Sequence, residues 1–181
     1  MDASKITAAV PVLGFAAYSG TGKTSLLIKL IPLLKAEGLR VGVIKHAHHK
    51  VDVDKPGKDS YELRKAGAGQ VLLATAQRWA LMVEEEVEGD PDLQTMLNRL
   101  DCSSLDLILV EGFRHVPFPK IELYRPSLGK PMLFPLDSSI IAVAADGELS
   151  QTAEMPLLDL NDPVAIRDFV LLYVRQQQTD A

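Results

Sequence analysis

The sequence predicts an α/β fold, a three-layer sandwich with helices on both faces of a mainly parallel sheet. Short apolar runs alternate with amphipathic helical stretches along most of the 181 residues, a pattern typical of parallel strands joined by crossover helices. The run at residues 105–110, Leu-Asp-Leu-Ile-Leu-Val, is the most apolar and indicates a strand buried on both faces. Since no linker, repeat or low-complexity tract interrupts the chain, we expect one domain over residues 1–181.

The first elements are two strands and two helices. Strands are expected at residues 10–16 and 39–45, separated by a helix whose leucines repeat at helical spacing until Gly38. Asp59 followed by Glu62 resembles an N-cap with its N3 partner, which predicts a short second helix.

The rest of the chain predicts further strands and two more helices. Strand candidates lie at residues 71–74, 79–83, 105–110, 120–125 and 140–145. The first two of these are expected to pair as a hairpin. A helix is expected at residues 91–100, and Asp162 with Pro163 predicts the N-cap and first residue of a terminal helix through about Arg175.

Composition and charge argue against several classes of protein. The formal net charge of −5 and the pI near 5.4 argue against a general binder of nucleic acid or acidic membranes. No apolar stretch approaches the length of a membrane span, and residues 1–10 lack the pattern of a signal peptide. With Cys102 as the one cysteine, no intrachain disulfide can form. We therefore expect a cytoplasmic protein that binds neither nucleic acid nor membranes.

A phosphate-binding loop is the most informative motif. Residues 17–24 read Ala-Tyr-Ser-Gly-Thr-Gly-Lys-Thr and match a P-loop at all but its first position, between a strand and a helix. Gly20 and Gly22 let backbone N–H groups approach the phosphates. Lys23 is expected to reach the β/γ oxygens, and the Thr24 hydroxyl is expected to bind Mg²⁺. The motif predicts a P-loop NTPase-like fold.

A carboxylate is expected on the metal side of this loop. Glu111 ends the apolar strand and is placed to hold Mg²⁺ or to orient water. Glu111 and Lys23 are therefore the two candidate catalytic residues. Asp52 and Asp54 are further candidate Mg²⁺ ligands.

Residues 45–60 hold three of the four histidines, and three interpretations of this stretch are open. It forms a transition-metal site, an exposed polar loop, or a loop beside the phosphates that meets a polyanionic ligand. The third is favoured. The donors expected to bind the anion include His48, His49 and Lys58.

The order of several motifs resembles one family. These are Ala-Tyr-Ser-Gly-Thr-Gly-Lys-Thr at residues 17–24, Ile-Lys-His-Ala-His-His at 44–49, Asp-Lys-Pro-Gly-Lys-Asp-Ser-Tyr at 54–61, Gln-Arg-Trp-Ala-Leu-Met at 77–82 and Asp-Leu-Ile-Leu-Val-Glu-Gly-Phe at 106–113. Together they resemble the molybdopterin-guanine dinucleotide biosynthesis adapter proteins over nearly the whole chain.

The resemblance implies a dimeric GTP-binding protein, at most a slow GTPase, which assists a guanylyltransferase that attaches GMP to molybdopterin. It also implies that the anion bound by residues 45–60 is, beside the GTP phosphates, a phosphorylated pterin: molybdopterin or its guanine dinucleotide. The expected ligands are GTP and Mg²⁺. Nucleotide contacts are expected from Ser19, Gly20, Thr21, Gly22, Lys23, Thr24 and Ser25.

Two questions stay open at the level of sequence. Asp146, after the strand at residues 140–145, either accepts the guanine N–H groups or only forms an Asp-Gly turn. The alternative function is a P-loop small-molecule kinase, which would carry an arginine-bearing lid. Arg78, Arg114 and Arg125 are scattered along the chain, which disfavours such a lid.

Overall fold

The computed structural model describes residues 6–47, 52–85 and 89–179. The chain divides into two compact units, a larger one made of Met1–His46 and Pro91–Ala181 and a smaller one made of Ala47–Asp90. This division does not test the expectation of a single domain over residues 1–181, which stays a prediction.

In the described ranges, twelve helices and strands follow one another. The strands are β1 (Val12–Ala16), β2 (Val41–Lys45), β3 (Gln70–Ala74), β4 (Trp79–Val83), β5 (Leu107–Glu111), β6 (Lys120–Tyr124), β7 (Ile140–Ala145) and β8 (Leu157–Asp159). The α-helices are α1 (Lys23–Ala36), α2 (Asp59–Lys65), α3 (Leu93–Leu97) and α4 (Pro163–Thr179), with short 3₁₀ turns at Cys102–Ser104 and Pro126–Leu128.

The larger unit is built on a six-stranded sheet in the order β2-β5-β1-β6-β7-β8. Every neighbouring pair of strands in it is parallel. The predicted α/β fold with a mainly parallel, P-loop NTPase-like sheet is therefore confirmed. Strand β8, which was not predicted, extends the sheet beyond β7.

Apolar side chains cover both faces of this sheet. On one face Leu13 and Phe15 of β1 belong to a buried cluster with α1 and α4, to which Tyr173 of α4 contributes. The Tyr173 hydroxyl donates to the Val12 carbonyl at 2.9 Å, and burial raises the pKa of Tyr173 to about 12. On the other face Leu93 and Leu97 of α3 pack against β1 and β5. Helices on both faces give the expected three layers.

The smaller unit contains α2 and an antiparallel hairpin. Strands β3 and β4 pair from Gln70 opposite Val83 to Ala74 opposite Trp79, as predicted. The Thr75 amide donates to the Arg78 carbonyl at 2.8 Å and closes the turn. These two strands form a sheet of their own.

Helix boundaries differ in part from the predicted ones. The N-cap expected at Asp59 is wrong: Lys58 is the last extended residue, so Asp59 already lies in the helix. Glu62 instead accepts from the Gly57 amide at 3.3 Å. The Asp162 cap is confirmed, since its carboxylate accepts from the amides of Val164 and Ala165 at 2.9 and 3.1 Å.

Two other helices differ in length from the predicted ones. Helix α3 is shorter than expected at both ends: Asp92 caps its start by accepting from the Thr95 amide at 2.7 Å, and the helix ends at Leu97. Helix α4 continues past Arg175 to Thr179. In the described ranges, none of the helices combines the length and hydropathy needed to cross a bilayer.

Candidate functional site

The P-loop connects the carboxyl end of β1 to the first turn of α1. Gly20 and Gly22 have φ of 84° and 101°, which side chains other than glycine adopt only with strain. Gly22 is the N-cap of α1, and no side chain caps that end, so its N–H groups suit an anion. Ala17 stands where the pattern has a glycine; Phe113 is the one non-glycine residue with positive φ in the described ranges, so Ala17 fits without strain.

Lys23 lies across the start of this loop. Its ammonium donates to the carbonyls of Ala17 and Tyr18 at 3.1 and 3.5 Å. Burial lowers the pKa of Lys23; the charge of Glu111 opposes that shift, while Arg114 and Lys45 add to it. The side chain is thus held by the loop and lies in the field of several charges.

Thr24 and Glu111 meet beside the loop. The Thr24 hydroxyl donates to Oε1 of Glu111 at 3.2 Å, and Nζ of Lys45 lies 3.4 Å from Oε2. The register explains this, because Glu111 stands opposite Phe15 of β1 and Lys45 of β2. A hydroxyl and a carboxylate are the kinds of oxygen that Mg²⁺ prefers. Among the described residues no cluster of three His, Cys, Asp or Glu side chains offers a metal site.

Asp146 is connected to the loop through an arginine. Its carboxylate forms an ion pair with Nη1 of Arg125, and Nε of Arg125 donates to the Thr21 carbonyl at 2.8 Å. Thr21 is buried, and its hydroxyl donates to the Tyr18 carbonyl at 2.9 Å. Asp146 therefore lies on the β6–β7 side of the P-loop, away from Glu111.

The other expected site residues are placed as follows. Ser19 and Ser25 are exposed, in the loop and in the first turn of α1. His48 and His49 lie outside the described residues. The remaining three belong to the smaller unit: Asp52 is paired with Arg64, Asp54 accepts from the Lys55 amide at 2.8 Å, and Lys58 occupies the N-cap position of α2.

Three cationic residues near the loop were missed by the site prediction. Lys45 pairs with Glu111, Arg125 contacts Thr21, and the Arg114 guanidinium lies 5.0 Å from the centre of the Tyr18 ring. Although Arg114 and Arg125 are scattered along the sequence, both contact residues of the P-loop, Tyr18 and Thr21. Strands β5 and β6 flank β1, so the segments that leave their carboxyl ends meet the P-loop.

The turn after Glu111 is tightly built. Gly112 has φ of 101°, and a Cβ there would lie 2.6 Å from Cβ of His46. Phe113 has φ of 50°, is buried, and stacks on the His46 ring with centroids 4.7 Å apart. The His46 amide donates to the Glu111 carbonyl at 2.8 Å. Glu111 thus ends a strand whose next residues are fixed by packing.

Comparison with known proteins assigns the chain to a family. The sequence model of the family described as molybdopterin guanine dinucleotide synthesis protein B, or MobB, matches residues 12–146. The chain belongs to the MobB family.

Named relatives extend the MobB match to nearly the full chain. The molybdopterin-guanine dinucleotide biosynthesis adapter protein of Escherichia coli strain K12 is 54% identical over 93% of this chain and 95% of its own length. That of Haemophilus influenzae is 45% identical over 89% and 88%. The crystal structure of a MobB homolog from Bacillus stearothermophilus is 26% identical, covers 91% of this chain and 98% of its own, and has a TM-score of 0.67.

Gly112→Ala is expected to destabilise this MobB protein more than Gly38→Ala. Both positions have positive φ, but a Cβ at Gly38 meets nothing within 4 Å, whereas at Gly112 it meets His46. Backbone strain alone costs about 1–2 kcal/mol, and the clash adds roughly 1–3 kcal/mol. Urea unfolding of both variants measures the difference. Equal losses would contradict the close approach of Gly112 to His46.

Proposed function

We propose that this chain is a GTP-binding adapter in the synthesis of molybdopterin guanine dinucleotide. It assists a partner guanylyltransferase that attaches GMP to molybdopterin, and it works in the cytoplasm. The observation that carries this proposal is a P-loop whose Thr24 meets Glu111 at 3.2 Å, in a chain of the MobB family. The adapter role itself comes from the names of the relatives.

The chain's own residues divide the work of holding the nucleotide. Backbone N–H groups around Gly20 and Gly22 surround the phosphates, and Lys23 contacts their outer oxygens. The Thr24 hydroxyl and the Glu111 carboxylate fit Mg²⁺ as oxygen ligands. Bound there, the ion would neutralise charge on the β- and γ-phosphates. Glu111 also orients a water molecule for the hydrolysis of GTP, which in this proposal is slow at most.

A second anion completes the proposed adapter role. We expect a phosphorylated pterin, molybdopterin or its guanine dinucleotide, to bind to donors in residues 45–60, among them His48, His49 and Lys58. Holding GTP and pterin near the partner enzyme raises their effective concentration without any transfer by the adapter itself. Asp52 and Asp54 stay candidate ligands on the metal side.

Lys23→Ala is expected to weaken GTP binding and to abolish stimulation of the partner enzyme. Loss of a charge-assisted contact to phosphate costs about 1.5–3 kcal/mol, or roughly ten- to a hundredfold in affinity. Calorimetry with GTP and Mg²⁺ measures the first effect. The yield of dinucleotide made by the guanylyltransferase at limiting GTP measures the second.

Lys29→Ala is the matched control, because Lys29 is an exposed lysine of the same helix. It should bind GTP and stimulate as the unaltered chain does. Unchanged GTP affinity in a folded Lys23→Ala variant would contradict the P-loop assignment. Phosphorylation of a small acceptor by the chain alone, without stimulation of the partner, would favour the kinase alternative.

Guanine recognition is proposed for Asp146. A carboxylate accepts from both N–H groups of the guanine edge, and Arg125 ties that carboxylate to the P-loop. The position beyond the loop on the side opposite Glu111 suits a base rather than the terminal phosphate.

Asp146→Asn should therefore erode the preference for GTP over ATP about tenfold or more, since one acceptor oxygen becomes a donor amide. Competition titrations with the two nucleotides measure this ratio. Glu148→Gln, which alters an exposed carboxylate two residues away, should leave it unchanged. A preference that survives Asp146→Asn assigns base recognition to other groups.

The hairpin of the smaller unit supports a homodimer. Leu72, Trp79, Leu81 and Val83 project from one face of this two-stranded sheet, and 61%, 71%, 48% and 36% of their surfaces are exposed. Isolated two-stranded hairpins are marginal in water, and exposed apolar patches mark interaction surfaces. We infer that a second copy of the chain covers this face.

Substituting serine for both Leu72 and Leu81 should convert the dimer into a monomer, because it places hydroxyl groups in the contact. Light scattering during size-exclusion chromatography measures the mass. Leu136→Ser is the control, since Leu136 is 90% exposed in the larger unit and should leave the dimer intact. If the double variant stays dimeric, the dimer interface does not lie on this face of the hairpin.

A further inference from the structure

We propose that Arg114 is a further triphosphate-binding residue, whose guanidinium contacts the terminal phosphate from the side of the P-loop where Glu111 lies. This inference rests on the proposed function and deepens it. Four observations support it: a ring contact, a fixed backbone, a local excess of positive charge and the order of the strands.

The ring contact orients the guanidinium. Arg114 lies over the ring of Tyr18, the second residue of the P-loop motif, at 5.0 Å from its centre. Stacking on an aromatic face leaves the N–H groups at the edge of the guanidinium plane free to bind oxygen. Nη2 lies 3.5 Å from Nε2 of His115, its neighbour in the chain. The loop thus holds the arginine beside the site where it binds phosphate.

A buried lysine fixes the backbone of this arginine. Lys120 is 1% exposed, and its ammonium donates to the carbonyls of Arg114 and Val116 at 3.2 and 2.6 Å. The same ammonium pairs with Asp137 at 2.9 Å. Phe113, directly before Arg114, is buried in the left-handed region. A side chain carried on a backbone held in this way is preorganised for a ligand.

The charges near the loop are unbalanced in favour of an anion. Among the described residues, Lys23, Lys45 and Arg114 bring three positive charges to the surroundings of the Glu111 carboxylate. Lys23 and Arg114 both contact Tyr18 of the loop, one through its carbonyl at 3.5 Å and the other over its ring, and Nζ of Lys45 lies 3.4 Å from the Glu111 carboxylate. Gathering like charges is unfavourable unless an anion binds among them. A triphosphate supplies that negative charge.

The strand order selects the terminal phosphate as the contact. Arg114 follows β5, which lies on one side of β1, whereas Asp146 follows β7 on the other. Glu111 and Thr24 meet on the β5 side, where the β/γ end of the nucleotide lies in the proposed arrangement. Arg114 is three residues beyond Glu111, in the segment that leaves β5 for β6, and its guanidinium lies over the Tyr18 ring of the loop. It therefore faces the phosphate that GTP has and GDP lacks.

Titrations of the whole chain with GDP and a non-hydrolysable GTP analogue, both with Mg²⁺, test the proposal. Arg114→Ala should lower affinity for the GTP analogue about tenfold or more and change GDP affinity less than about threefold. Arg114→Lys should recover only part of the loss, because an ammonium lacks the planar donors that stack and bind together. Single-turnover GTP hydrolysis should fall in both variants.

Two controls make the outcome decisive. Arg175→Ala removes an exposed arginine of α4 and should leave both affinities unchanged. Thermal unfolding of each variant checks that the fold persists. If Arg114→Ala unfolds, Arg114→Lys still tests the proposal, because lysine retains the aliphatic part of the side chain.

Either of two results would overturn the inference alone. Triphosphate affinity that is unchanged in Arg114→Ala, or GTP and GDP affinities that fall equally, would leave Arg114 a structural residue, provided that Lys23→Ala still loses binding. If the unaltered chain binds neither nucleotide, the proposed function fails and this inference fails with it.

Discussion

The parallel pairing of β1 with β5 is the constraint on which the candidate site depends. It places the start of the P-loop beside Glu111, because Phe15 and Glu111 are partners at the carboxyl ends of the two strands. Thr24, in the first turn of α1, then reaches the carboxylate. Strand β2 adds Lys45 in the same register. A shift of one residue in β5 would turn the Glu111 side chain to the opposite face of the sheet and would separate these groups.

Buried polar side chains of β6 organise the segments around that site. Lys120 fixes the Arg114 carbonyl, and Glu122 accepts from the amides of Leu133 and Phe134 at 2.7 and 2.8 Å. Burial raises the pKa of Glu122, and those two hydrogen bonds oppose the shift. Burial of such groups is costly unless each has partners. The sheet therefore holds its loops through polar contacts made inside the protein.

The sequence was sufficient to predict the motifs of the candidate site, but not the cationic residues that lie beside the P-loop in the fold. Periodicity located the strands other than β8, and P-loop spacing with a strand-ending Glu111 pointed to Thr24 and Glu111 as neighbours of one metal site. Lys45 could not have been added from the sequence, because it meets Glu111 only where β2 lies beside β5. Nor could Arg114 and Arg125, because they reach the loop only through the strand order, which no local pattern encodes. Asp59 failed as an N-cap because Lys58, the residue before it, is the last one with extended backbone.

The strand order also governs when the chain can fold during its synthesis. Strand β2 pairs with β5, and β1 pairs with β5 and β6, all through contacts distant in sequence. The central sheet therefore cannot begin until β5 has been made, about ninety residues after β1. At about 5–20 residues per second, this takes several seconds. Through that interval the apolar residues of β1 and β2 have no neighbouring strand in the nascent chain, and such unpaired apolar segments favour aggregation.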